Sequence, residues 1–121
     1  MKELTKAEEQ IMRVLWKKEK CLVRDIMDSL PTPKPAYNTV ATFLKILETK
    51  GFVSRKAIAN TFEYYPLVEK STYTDQFIKG FMEKYFEGSL QKMMSFFIEK
   101  NDMDLKEFED IQKLLNEKKN G

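Results

Sequence analysis

The sequence predicts a mainly α protein with one small β-hairpin, organised as two domains that meet near residue 71. Three observations carry this. Apolar residues recur at helical spacing in three segments before residue 51, and a proline-rich turn separates the second from the third. Directly after the third comes a stretch, residues 52–66, that is rich in β-favouring residues and interrupted by a turn. No proline follows Pro66, and three further helical patterns fill the rest of the chain. The order helix, short strand, helix, turn, helix, hairpin is that of a winged helix-turn-helix. It occupies residues 1–70, with a C-terminal helical domain over residues 71–121.

The elements follow in order. Thr5 and Glu8 make a capping-box pattern, in which a hydroxyl and a carboxylate three residues on satisfy each other's backbone N–H groups. The helix they start runs to Lys17 or Lys18. Ala7, Ile11, Val14 and Leu15 form its inner stripe, Leu4 staples its entry and Trp16 packs at its end. Cys21, Leu22 and Val23 read as a short strand, with Cys21 a small core residue. Val23, Ile26, Met27 and Leu30 then line a two-turn helix. Pro31, Pro33 and Pro35 end it, because proline lacks a donor and restricts the residue before it.

The third helix, residues 36–50, has two distinct faces. Val40, Phe43, Leu44 and Leu47 fall on one side, at i, i+3, i+4 and i+7. Asn38, Thr42, Lys45 and Thr49 fall on the other, with Ala41 beside them. A solvated helix face usually mixes Lys and Glu. This one is short and polar, as a face that approaches base edges must be. Gly51 follows as the residue that ends the helix at positive φ. Residues 52–57 are extended, residues 58–61 turn with Asn60 taking positive φ, and residues 62–65 return until Pro66. This hairpin is a wing, and it carries Arg55 and Lys56.

The C-terminal domain begins with a wide aromatic stripe of Tyr73, Phe77, Phe81 and Tyr85 over residues 72–86, broken by Gly88. Residues 89–99 are apolar at Leu90, Met93, Met94, Phe96, Phe97 and Ile98. Asp104 and Glu107 cap a last helix lined by Leu105, Phe108, Ile111, Leu114 and Leu115. Three helices totalling fewer than 50 residues are small for an independent core. Burial against a second copy is the simplest solution, so a twofold homodimer is expected through residues 72–118. Phe77, Phe81, Leu90, Met94, Phe97, Phe108, Ile111 and Leu115 are its candidate contacts.

Charge and composition exclude other classes. The net charge is only +2, but residues 1–70 carry thirteen Lys/Arg against nine Asp/Glu, whereas residues 71–121 carry eight against ten. Lys34, Lys45, Lys50, Arg55 and Lys56 surround the third helix with one acid, Glu48, among them, which suits phosphate contact. There is no His and one Cys, so no Cys/His zinc site and no Ser-His or Cys-His nucleophile pair can form within a chain. No metal, cofactor or catalytic residue is expected. Acid pairs such as Glu8 and Glu9, or Glu107, Glu109 and Asp110, lie in helix caps and solvated turns. No membrane span or signal peptide is present, and a soluble cytoplasmic protein is expected.

The segments LTKAEEQIMRVLW, VRDIMDSL, AYNTVATFLKILETKGFVSRK and FEYYPLVEKS, with the helical tail, closely resemble the BlaI/MecI family of bacterial transcriptional repressors over nearly the whole chain. The resemblance implies a winged-helix domain, a helical dimerisation domain and repression from a palindromic operator. It assigns base reading to Tyr37, Asn38, Thr39 and Thr42. Ala41 stands where some relatives place an arginine, which implies a different base preference. In the best-known members a membrane-bound sensor protease leads to cleavage at an Asn-Phe bond in the dimerisation domain. The matching bond here is Phe96–Phe97, without the asparagine, and the plain reading of both rings is core or interface packing. A copper-responsive branch ends in Cys-x-Cys motifs, which this chain lacks.

The expected function is therefore sequence-specific repression by a homodimer on double-stranded DNA. Tyr37, Asn38, Thr39 and Thr42 face the bases, and Lys45, Arg55 and Lys56 face phosphates. Release follows loss of the dimer, by proteolysis or another signal. The rival is a winged-helix module that binds protein without specific DNA binding, and the basic residues around the third helix count against it.

Overall fold

The structure, a computed structural model, describes residues 2–100 and 104–120, apart from the side chains of residues 108, 112 and 115–120. In chain order its elements are α1 (Lys6–Lys18), α2 (Val23–Ser29), α3 (Tyr37–Thr49), β1 (Val53–Ile58), β2 (Thr61–Pro66), α4 (Lys70–Phe86), α5 (Leu90–Glu99) and α6 (Leu105–Asn120). The chain divides into two compact units, Met1–Thr74 and Asp75–Gly121, with the division inside α4.

In the first unit the capping box of α1 forms as written. The Glu8 N–H donates to Thr5 Oγ1 at 3.3 Å and the Thr5 N–H to Glu8 Oε1 at 3.1 Å. The core gathers one stripe from each helix: Ile11, Met12 and Leu15 from α1, Val23 and Ile26 from α2, and Val40, Leu44 and Leu47 from α3. Phe52, Val53 and Tyr64 close it from the hairpin side. β1 and β2 are antiparallel, in register from Val53 opposite Pro66 to Ile58 opposite Thr61. The Trp16 indole donates to the Val68 carbonyl at 2.8 Å, and the Tyr73 ring lies 5.6 Å from Trp16 and 5.9 Å from Phe52.

Four local expectations change. Residues 21–23 are not a strand: Cys21 alone bridges to Tyr64, exchanging both backbone bonds at 2.9 and 2.7 Å. The Asp25 carboxylate accepts from the Leu22 N–H at 2.9 Å and starts α2 at Val23 instead. The fourth helix begins two residues early, at Lys70, because Tyr73 docks its first turn against Trp16 and Phe52. Met12 belongs to the core, and Val14 is only half-buried. Glu8 is not a solvated cap residue but is 2% exposed.

The burial of Glu8 has a clear cause. Lys50, the C-cap of α3, reaches across the unit and places Nζ at 2.5 and 3.1 Å from the two carboxylate oxygens and at 3.1 Å from the Glu3 carbonyl. Burial pushes the Glu8 carboxyl upward. The Lys50 hydrogen bond and charge, with the Thr5 N–H and hydroxyl, more than offset this and hold it below its ordinary value. The pair joins the start of α1 to the end of α3.

The second unit has a thinner core. Met94 is its one buried large side chain among the described residues. Phe81, Phe86, Leu90, Phe97 and Ile111 are half-buried. Rings line up along it, with centroids 5.8 Å apart for Phe81–Phe86, 5.6 Å for Phe86–Phe96 and 5.9 Å for Phe96–Phe97. α4 ends through Glu87 and Gly88, both at positive φ. Ser89 caps α5, and the Asp104 carboxylate accepts from the Glu107 N–H at 2.8 Å to cap α6. Among the described residues no helix is long and apolar enough to cross a membrane.

Removing one partner of the buried pair should be costly. Lys50→Met strands a carboxylate in an apolar site and lowers stability in urea by about 2–4 kcal/mol. A loss below about 1 kcal/mol would mean that Glu8 finds water instead. Because its folded-state pKa is depressed, Glu8 adds stability above its ordinary value of 4.5, and this is lost as pH falls below that value. Glu8→Gln should therefore flatten the acid limb of the stability profile below about pH 5. An acid limb as steep as that of the unmodified protein would contradict this.

Candidate nucleic-acid interface

The inner face of α3 decides what its outer face shows. Val40, Leu44 and Leu47 are at most 1% exposed, so the helix cannot roll. Tyr37, Asn38, Thr39, Thr42, Lys45 and Thr49 are thereby turned to solvent. Thr42 donates its hydroxyl to the Asn38 carbonyl at 2.8 Å, and Thr49 to the Lys45 carbonyl at 3.0 Å. With that hydrogen used inside the helix, each threonine offers an acceptor oxygen and a methyl group outward. The Asn38 amide makes no hydrogen bond within the described residues and keeps donor and acceptor available together. α3 starts from Ala36 without a side-chain cap and without an acid in its first turn. The partial positive charge of its N-terminus is left uncompensated, which favours an anion there.

The basic residues sort into two groups that spacing alone does not distinguish. Lys34 donates to the carbonyls of Met27, Asp28 and Leu30 at 3.3, 2.7 and 2.8 Å and so closes the end of α2. Lys50 is committed to Glu8. The Lys50 charge is thereby neutralised within the fold, whereas Lys34 is exposed and keeps its charge while its N–H donors are used on neutral carbonyls. Lys45 and Lys56 are exposed and make no ion pair among the described residues. Arg55 is also exposed but shares its charge with the fold. Its Nε lies 3.5 Å from Glu48 Oε2 and its guanidinium sits 4.3 Å above the Phe62 ring, with nearly half of the side chain exposed. It ties the wing to the last turn of α3 and keeps an open edge. Arg24, on the exposed side of α2, is a further cation that the linear charge pattern does not connect with α3.

The hairpin projects as a two-stranded ribbon whose loop is Ala59 and Asn60. The positive φ expected at Asn60 falls on Ala59, at 52°. Ile58 and Phe62 near the tip are each 40% exposed. Cys21 is buried and its thiol is pushed up by that burial and by the nearby Asp25 charge, so it is not a reactive group. Among the described residues, no group of three His, Cys, Asp or Glu is placed to hold a metal.

The second unit, taken by itself, exposes much apolar surface. Phe77, Tyr85, Leu105 and Leu114 are 54–63% exposed, and Ile78 and Phe96 about 40%. Of the residues expected at a dimer contact, Phe77 is about half exposed, and Phe81, Leu90, Phe97 and Ile111 are half-covered. Met94, at 5% exposed, packs inside its own chain. The side chains of Phe108 and Leu115 lie outside the described residues. Phe96 and Phe97 sit within α5.

Comparison with known proteins agrees with this geometry. A family model described as penicillinase repressor matches residues 4–117. The methicillin resistance regulatory protein MecI of Staphylococcus aureus (strain N315) is 31% identical over 117 residues, covering 96% of this chain and 95% of that protein. The penicillinase repressor of Bacillus licheniformis is 25% identical over 119 residues, with 98% and 93% covered. Among solved structures, Bordetella bronchiseptica BpsR, studied for regulation of its DNA binding by 6-hydroxynicotinic acid, matches with a TM-score of 0.52 at 14% identity. That match covers 98% of this chain and 77% of the other. It is a likeness of fold alone.

Gly51 sets the angle at which the chain leaves α3 for the wing, at φ +83°, with open space where a Cβ would stand. Gly51→Ala therefore meets no clash, and its penalty is conformational. It should lower stability by about 1–2 kcal/mol in a urea titration. An unchanged midpoint would show that the backbone there relaxes freely to negative φ.

Proposed function

The chain belongs to the penicillinase repressor family of DNA-binding transcriptional repressors, and from that premise we propose that it acts as a homodimer on a palindromic operator. The observation that carries this is the face of α3. Its short polar side chains are all exposed, uncharged but for Lys45, and held in place by an inner face with no freedom to rotate. In this reading two α3 helices enter successive major grooves on one side of the duplex, about one helical turn apart. Asn38 and Thr42 contact base edges, Asn38 pairing bidentately with an adenine. Tyr37 and Thr39, nearer the start of the helix, reach bases or phosphates. Lys45, Lys56 and the open edge of Arg55 contact phosphates and add a sequence-independent, salt-sensitive term. Occupying the operator blocks transcription without any chemistry.

Dimerisation through the second unit is supported by its exposed Phe77, Ile78, Tyr85, Leu105 and Leu114, which a lone chain leaves in water. Tethering two DNA-binding units raises affinity by about 10² to 10⁴ without new contacts. Loss of the dimer therefore releases the operator, whether by proteolysis or another signal. A sensor protease that cuts at Phe96–Phe97 would have to unwind α5, in which that bond lies. The protein works in the cytoplasm, where the DNA is.

Two outcomes test this. Asn38→Ala lowers affinity for the preferred duplex by about 1–3 kcal/mol and relaxes the preference at one base pair in gel-shift competition. Unaltered preference would remove Asn38 from base reading. Leu114→Glu, at a position 62% exposed, leaves the chain folded but shifts its sedimentation from twice the chain mass to one, and operator affinity falls at least tenfold. A variant that stays dimeric would place the interface elsewhere.

A further inference from the structure

A cleft of about 490 Å³ opens where three elements of the first unit meet. Leu22, Val23 and Arg24 line it from the start of α2, Tyr37 from the start of α3, and Thr61 from the start of β2. Leu22 is half-buried and Val23 buried, so the inner part is apolar. Arg24 and Tyr37 are exposed. The polar side chains of the lining are thus a guanidinium, a phenol and a hydroxyl, each able to donate, and among the described residues no carboxylate lines the cleft. The acid next to Arg24 in sequence, Asp25, is turned away to accept from the Leu22 N–H at 2.9 Å. Arg24 itself makes no ion pair within the described residues, whereas Lys34 and Lys50 are both spent on internal carbonyls and a carboxylate.

From this arrangement we infer that Arg24 holds one phosphodiester of the DNA backbone in the cleft, beside Tyr37, as a positioning contact. The inference rests on the reading that α3 lies in the major groove. In that docking the preceding helix crosses the backbone of the duplex, and the cleft is where α2, α3 and the wing face the same strand. A planar guanidinium suits a phosphate through paired N–H donors. A phosphate seated there touches both helices and the wing at once. It therefore fixes the register of α3 on the duplex without reading a base. Twelve residues separate Arg24 from Tyr37 in the chain, so only the fold brings them together.

The test is a binding titration of the full-length protein across a series of salt concentrations. The probes are a mixed-sequence duplex and a duplex enriched by selection. Arg24→Gln should reduce the magnitude of the slope of log affinity against log salt by about 1.8 on both duplexes, about 0.9 for each of the two Arg24 residues of the dimer, leaving the ratio of the two affinities unchanged. Arg24→Lys, which keeps the charge, should restore the slope. The exposed position predicts that both variants keep the thermal midpoint of the parent. An unchanged slope in Arg24→Gln overturns the inference while leaving DNA binding intact, and so does a change confined to the selected duplex, which would mark base reading. Absence of binding by the parent protein to either duplex would overturn the DNA reading itself, and the phosphate contact with it.

Discussion

Everything that α3 presents to the outside depends on what it buries. Val40, Leu44 and Leu47 lock into a core built from one stripe of each neighbouring helix and the root of the hairpin. Burying a Val or Leu side chain is worth roughly 1.5–3 kcal/mol, so rolling the helix to show a different face would forfeit several such terms together. The polar face is then a fixed surface, not an adaptable one. The Glu8–Lys50 pair adds a second constraint at the far end, tying the C-cap of α3 to the capping box of α1. Arg55 adds a third by clasping Phe62 and Glu48, which links the wing to the same helix. Helix and wing are presented as one rigid surface, which is what reading a groove requires.

The allocation of positive charge follows from the same constraints. A cluster of cations in the sequence looks like a uniform phosphate-binding field. In the fold each cation has a different task. Lys34 finishes a helix, Lys50 neutralises a buried acid, and Arg55 divides itself between structure and surface. Lys45 and Lys56, with Arg24 from another helix, are left facing outward. The modest net charge of +2 is therefore compatible with a concentrated outward charge near α3.

Much of this was legible in the residues. The capping box, the prolines that separate α2 from α3, Gly51 at the helix end and the hairpin after it all act through local backbone chemistry, and they appear where their spacing predicts. The polar face of α3 was legible for the same reason, since helical periodicity alone sorts it. What spacing cannot show are interactions that join distant parts of the chain. Glu8 looks like a surface cap until Lys50, forty-two residues on, is brought against it. Cys21 looks like part of a strand, yet only its bridge to Tyr64 is formed. Met94 sits in a run that reads as interface, but the packing of its own chain encloses it. Arg24 joins the surface near α3 only through the fold.

The central claim is that a dimer of this chain reads DNA through α3. Selection of duplexes from a random library by the full-length protein, at a stated salt concentration, tests it most directly. The account predicts enrichment of an inverted repeat with half-sites about one helical turn apart. Failure of the folded protein to enrich any sequence, or enrichment of a single unrepeated site, would contradict it.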